Sequence, residues 1–66
     1  MLPLYLAMID TDEDRTKFAA LYERYSRLMF YIARQILSDE QLSEDAVQEA
    51  FLRIAKNMHK VGDVSC

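Results

Sequence analysis

The sequence predicts an all-α fold, an antiparallel helical hairpin preceded by a short N-terminal helix. Apolar residues recur at three- and four-residue steps in two separate stretches, which is the spacing of one face of a helix. Glycine and proline each occur once in the 66 residues, so few positions favour the tight turns that join strands. A hydrophobic fraction of 52% is typical of a folded chain rather than a disordered one.

The first two helices are predicted from their starting residues. A short helix is expected over about residues 3–9, because Pro3 suits the first turn of a helix. A long helix is expected over about residues 12–37, with Asp10 or Thr11 as its N-cap. We interpret its apolar face as core. That face consists of Phe18, Leu21, Tyr22, Tyr25, Leu28, Met29, Ile32, Ala33 and Ile36.

The second helix of the hairpin is expected over about residues 43–60, ending at Gly62. Either Ser38 with Gln41 forms a capping box, or Ser43 caps the helix. The short break between the two long helices favours an antiparallel arrangement. The predicted core stripe of the second helix contains Val47, Ala50, Phe51, Ile54, Met58 and Val61.

The hairpin leaves apolar residues of the long helix without a partner. Phe30 and Tyr31 lie more than about 90° from the centre of its apolar face, so one packing helix cannot cover both sides. Residues 1–66 are therefore interpreted as a single partial domain. A homo-oligomer is expected, with Leu28, Met29, Phe30 and Tyr31 at or near the interface.

The outer face of the second helix carries a leucine among polar residues. Gln48, Glu49, Leu52 and Lys56 lie within roughly 60° of Asp45 around the helix axis, opposite the core stripe. The pattern alone favours an ordinary solvated face with one tolerated leucine. The alternative is a docking face, in which hydrogen-bonding groups surround an apolar anchor.

Composition argues against several functional classes. The net charge of −3 is not that of a free-standing nucleic-acid binder. His59 and Cys66 supply only two of the roughly four ligands of a zinc site, so neither a metal nor a cofactor is expected. Asp45 and Glu49 lie on a convex face without a nucleophile, which argues against an enzyme. The chain shows neither a signal peptide nor a membrane span, and a cytoplasmic location is expected.

The run "LYERYSRLMFYIARQILSDEQLSEDAVQEAFLRIAKNM" resembles region 2 of bacterial RNA polymerase sigma factors, most closely the extracytoplasmic-function group. The first long helix is similar to region 2.1, at about residues 18–37, and the second to region 2.2, at about residues 43–60. Within the second, "EDAVQEAFLRI" is close to the family's usual "EDAVQEVFLRLW". Ala55 stands where the family has a tryptophan or another large residue.

The resemblance implies a role in transcription initiation. In the family, region 2.2 docks on the clamp helices of the polymerase β′ subunit, and the matching residues here are Asp45, Gln48 and Glu49, with Leu52 on the same side. The family's promoter-reading segments are missing from this chain, so promoter DNA is expected to be bound only by the full-length protein. An anti-sigma factor is a further expected partner. The alternative is a self-associating helical hairpin with a structural or interaction role.

Overall fold

The computed structural model describes residues 2–60 and is all-helical over that range. Three α-helices follow one another, and a short 3-10 turn comes after them. They are α1 (Leu2–Ala7), α2 (Asp12–Leu37), α3 (Glu40–Lys56) and the turn Met58–Lys60. The two long helices pack against each other as the predicted hairpin, and α1 contacts both of them.

The start of α2 confirms one of the two predicted caps. The Thr11 hydroxyl accepts a hydrogen bond from the Asp14 backbone N–H at 3.1 Å, which satisfies one of the free amides of the first turn. Arg15 then ties α1 to α2, because its Nε donates to the carbonyls of Leu6 and Ile9 at 3.3 and 2.9 Å. This link fixes the direction in which α1 returns over the hairpin.

The connection between α2 and α3 corrects the predicted caps. Ser38 adopts a left-handed conformation (φ 53°) and its N–H donates to the Arg34 carbonyl, so it ends α2. Asp39 is the N-cap of α3, and its carboxylate accepts from the Leu42 N–H at 2.9 Å. The predicted Ser38–Gln41 capping box is therefore wrong, because Ser38 is the C-cap of α2 and the N-cap of α3 is Asp39.

The predicted cap at Ser43 is also wrong, since α3 begins three residues earlier than expected. Ser43 is fully buried inside the helix, and its hydroxyl donates to the Asp39 carbonyl at 2.6 Å. At the other end, α3 finishes at Lys56, where Asn57 donates to the Arg53 carbonyl. The predicted stop at Gly62 and the predicted core residue Val61 lie outside the described residues.

An aromatic cluster forms the core where α1, α2 and α3 meet. Phe51 of α3 lies 4.9 Å from Tyr22 and 5.8 Å from Phe18, measured between ring centroids. Tyr5 of α1 closes the cluster at 5.4 Å from Phe18. The buried apolar residues are Tyr5, Ile9, Phe18, Phe51, Ala55 and Met58.

The predicted apolar face of α2 is core along only part of its length and width. Phe18 is fully buried, and Tyr22 and Met29 pack against the buried cluster. Four other members remain exposed: Tyr25 (39%), Leu28 (52%), Ile32 (48%) and Ile36 (74%). The apolar face is wider than the surface that α3 and α1 cover, so one side of α2 keeps uncovered apolar residues within the described structure.

Candidate functional site

The polar side chains of the predicted docking face are exposed together on α3. Asp45, Gln48 and Glu49 are exposed, while Leu52 is half-buried. At 1.5 Å per residue, the four residues extend over about 10 Å of helix. We call these four residues the docking face.

Leu52 is more deeply placed than its sequence position indicated. The helical periodicity placed it outside the core, yet it packs against the buried cluster. The reason is that α1 contacts α3 as well as α2, so α3 has a second neighbour and a wider buried sector. Leu52 therefore lies at the edge between core and surface, with its position fixed by packing.

Ala55, like Leu52, is more buried than the sequence pattern predicted. Sequence reasoning left it outside the core stripe, but it is buried. It lines a depression beside Ile9 and Met58. A side chain as large as the tryptophan usual in the family would have to displace α1 or the 3-10 turn. The sequence feature that could have indicated its burial is its small size, next to Ile54 of the predicted core stripe.

The two carboxylates of the docking face each have one partner on their own helix. Gln41 Nε2 donates to Asp45 at 3.1 Å, and Arg53 Nη2 donates to Glu49 at 3.1 Å. Exposed pairs of this kind contribute about 0.3–0.5 kcal/mol, so they are easily exchanged for a stronger partner. Within residues 2–60, the Gln48 amide makes no hydrogen bond. The docking face thus exposes carboxylate and amide groups at the surface of α3.

A groove that sequence reasoning missed adjoins the docking face. It has a volume of about 280 Å³ and runs between α2 and α3, with Tyr5 of α1 at one end. Tyr22, Phe30 and Val47 give it apolar walls, and Gln48 belongs both to this groove and to the docking face. The interhelical contacts that form it follow from the helix packing rather than from any local pattern in the sequence.

The four residues predicted for self-association do not share one surface. Leu28 and Tyr31 are exposed, whereas Met29 and Phe30 are half-buried. Met29 packs against the core cluster. Consecutive residues on a helix are about 100° apart, so four in a row cannot all face the same partner. Met29 is therefore a packing residue of the hairpin.

Residues 2–60 contain neither a candidate metal site nor a candidate membrane-spanning helix. Residues 2–60 hold no group of three or more histidine, cysteine, aspartate or glutamate side chains arranged to hold a metal ion. Among the helices of the same range, none combines the length and the apolar character needed to cross a membrane.

A known protein family matches most of the two long helices. The family model described as Sigma-70 region 2 matches residues 21–64, which is two thirds of the chain. The chain belongs to the Sigma-70 region 2 family. The match takes in all of α3 and most of α2, and therefore the whole docking face. Comparisons with curated proteins and with solved structures gave no match.

Membership of this family defines the general role. Sigma region 2 belongs to a transcription-initiation factor that binds the RNA polymerase core, and the family is not enzymatic. The all-helical hairpin described above is compatible with that assignment. In such a family, function depends on surface residues that bind the polymerase core.

Proposed function

We propose that this sigma region 2 docks through α3 on the clamp helices of the polymerase β′ subunit. The observation that carries the proposal is the docking face: three exposed hydrogen-bonding side chains beside the half-buried Leu52, on one rigid helix. The similarity of the α3 sequence to region 2.2 supports the same residues. The same similarity supports an extracytoplasmic-function type of sigma factor.

The packing of α3 suits it to this role. Phe51 is buried, and it packs α3 against the core from the side opposite Asp45 and Glu49. A preformed face loses little conformational freedom on binding. Leu52 would supply the apolar centre, while the two carboxylates would exchange Gln41 and Arg53 for donors on a basic partner helix.

The test uses charge reversal on the docking face. Glu49→Lys should weaken capture of a β′ clamp-helix fragment at least about tenfold, because it places like charge against a basic partner. Combining it with Leu52→Ala should abolish capture. The matched control is Glu23→Lys, which makes the same charge change at an exposed position of α2.

Helicity measured by circular dichroism must be retained in each variant, because Leu52 also contacts the core. Full capture by the helical double variant would show that the docking face is wrongly assigned. Loss of capture by Glu23→Lys as well would point to a general charge effect instead.

The proposal extends to the other partners of a sigma factor. We expect no specific contact between promoter DNA and this 66-residue chain, in keeping with its net charge of −3. A mobility-shift assay with the 66-residue chain should show no sequence preference approaching the roughly thousandfold of specific binders. An anti-sigma factor would compete for the polymerase-binding surface, and the proposal carries with it a cytoplasmic location.

A second candidate function is self-association of the hairpin with a structural or interaction role. The observation that favours it is the exposed apolar side of α2, which includes Leu28 and Tyr31. Sedimentation equilibrium tests it, with a dimer or a higher even oligomer as the expected result. A monomer at tens of micromolar would exclude this function.

A further inference from the structure

Tyr5 carries a hydroxyl without a hydrogen-bond partner at one end of the groove between α2 and α3. The residue is 3% exposed, and within residues 2–60 its hydroxyl makes no hydrogen bond. No fully enclosed side-chain nitrogen or oxygen in that range lacks a partner, so this hydroxyl is open to the groove that Tyr5 lines. Polar groups of buried residues are normally hydrogen-bonded. An open hydroxyl on a buried residue therefore indicates a place for a ligand.

The groove has the size and the walls of a site for an aromatic ring. Its volume is about 280 Å³. A cavity of about 150 Å³ lined by apolar side chains is enough to hold benzene. Tyr22 and Phe30 of α2 form the apolar walls together with Val47 of α3. Tyr22 and Val47 also pack against the buried cluster, so these walls are formed before any ligand binds.

Two opposite charges lie at the groove without a partner. Arg27 belongs to α2 and Glu44 to α3, and both side chains are exposed. Within the described part of the chain, neither of them takes part in a salt bridge or a side-chain hydrogen bond. A ligand with a carboxylate and an ammonium group would supply the missing partner of each.

We propose that this groove binds a free aromatic amino acid. The ring of the ligand would lie between the apolar walls. Its carboxylate would accept from Arg27 and from the Tyr5 hydroxyl, and its ammonium group would donate to Glu44. Burial, and then the charge of Tyr22, raise the pKa of the Tyr5 phenol above its ordinary value of 10.0, so the phenol keeps the proton that it donates.

An aromatic compound with only one charge matches the groove less well. An aromatic acid would bring its carboxylate to a groove that also holds Glu44, and an aromatic amine would bring its cation to one that holds Arg27; like charges repel. The amino acid offers the opposite charge to both. This ligand site goes beyond the proposed docking, since the groove shares only Gln48 with the docking face.

The experiment is titration of the full chain with L-phenylalanine, followed by two-dimensional NMR of the backbone amides. Saturable shifts should centre on the groove residues, with a Kd of about a millimolar or below. Two analogues are the matched ligand controls. Hydrocinnamate lacks the ammonium group and phenethylamine lacks the carboxylate, and each should bind about threefold more weakly or worse.

Variants of the chain assign each contact. Arg27→Gln should weaken binding of L-phenylalanine and hydrocinnamate but not of phenethylamine, whereas Glu44→Gln should spare hydrocinnamate and weaken the other two. Tyr5→Phe keeps the ring in the core and removes only the hydroxyl, and it should weaken binding of both carboxylates about tenfold. Arg24→Gln and Tyr25→Phe are the controls, because they make the same changes at exposed positions of α2 outside the groove.

Absence of saturable shifts at millimolar L-phenylalanine would overturn the inference. Equal affinities for the three compounds, or equal effects of Tyr5→Phe and Tyr25→Phe, would overturn it as well. A dimer that Ser26→Trp dissociates would show that a second copy covers the groove, since Ser26 lines it, and would exclude the ligand site. The titration uses the chain alone, so its failure is distinguishable from failure of the β′ fragment to bind α3.

Discussion

Phe51 should be the residue on which the stability of the hairpin depends most. Its ring is 1% exposed, and it is the α3 member of the aromatic cluster that joins the three helices. Its ring centroid lies 4.9, 5.8 and 6.3 Å from those of Tyr22, Phe18 and Tyr5. Replacing it by alanine would leave a cavity bordered by all three helices, which none of them can fill without moving.

The stability lost in Phe51→Ala can be compared with the total free energy of unfolding. Burial of a phenylalanine and the cavity left by its removal together correspond to about 3–5 kcal/mol. At about 0.05–0.15 kcal/mol per residue, a chain of this size has a free energy of unfolding of roughly 3–10 kcal/mol. Phe51→Ala should therefore remove much or all of the stability of the fold.

Urea denaturation followed by circular dichroism measures this loss. Leu4→Ala is the control, because Leu4 is large and apolar but 64% exposed, and its replacement should cost less than about 1 kcal/mol. A loss below about 1 kcal/mol for Phe51→Ala would refute the placement of the core. Equal losses for the two variants would refute the contrast between buried and exposed positions.

Three other predictions concern the turn and the core. Asp39→Ala should lower the free energy of unfolding by about 1 kcal/mol, because the Leu42 N–H loses its acceptor; an unchanged urea midpoint would contradict this. Ser38→Gly should raise the free energy of unfolding by up to about 1 kcal/mol, since φ is 53° there; a decrease would support a capping role for the hydroxyl. Burial, and then the charge of Tyr22, raise the pKa of the Tyr5 phenol above its ordinary value of 10.0. The unfolded chain then loses that proton first, so stability should fall as pH rises above about 10, less steeply in Tyr5→Phe; equal slopes in urea titrations would contradict the shift.

The helical class and the bounds of the long helix could be predicted because their causes are local. The three- and four-residue spacing and the Thr11 cap both lie within a few residues of the features that they determine. The polar side of the docking face followed in the same way, since Asp45 and Glu49 are one turn apart. The family resemblance was confirmed by the match over residues 21–64.

The start of α3 was missed because two serines offered equally good local caps. The start of α3 depends on Ser38, whose left-handed conformation ends α2. Asp39, the next residue, is therefore the N-cap of α3. A non-glycine residue in that conformation has no strong sequence signal. The burial of Ser43 then follows from the earlier start of the helix.

The remaining differences come from tertiary packing, and they decide how α2 and α3 divide their roles. A periodic pattern shows that a face is apolar, but it does not show which neighbour covers it. On α3, the contact with α1 draws Leu52 and Ala55 toward the core and fixes the edge of the docking face. On α2, the same two neighbours cover the side of Tyr22 and leave Ile36 exposed. The contacts of one short helix thus set the boundary between buried and exposed residues on α3 and leave one apolar side of α2 exposed.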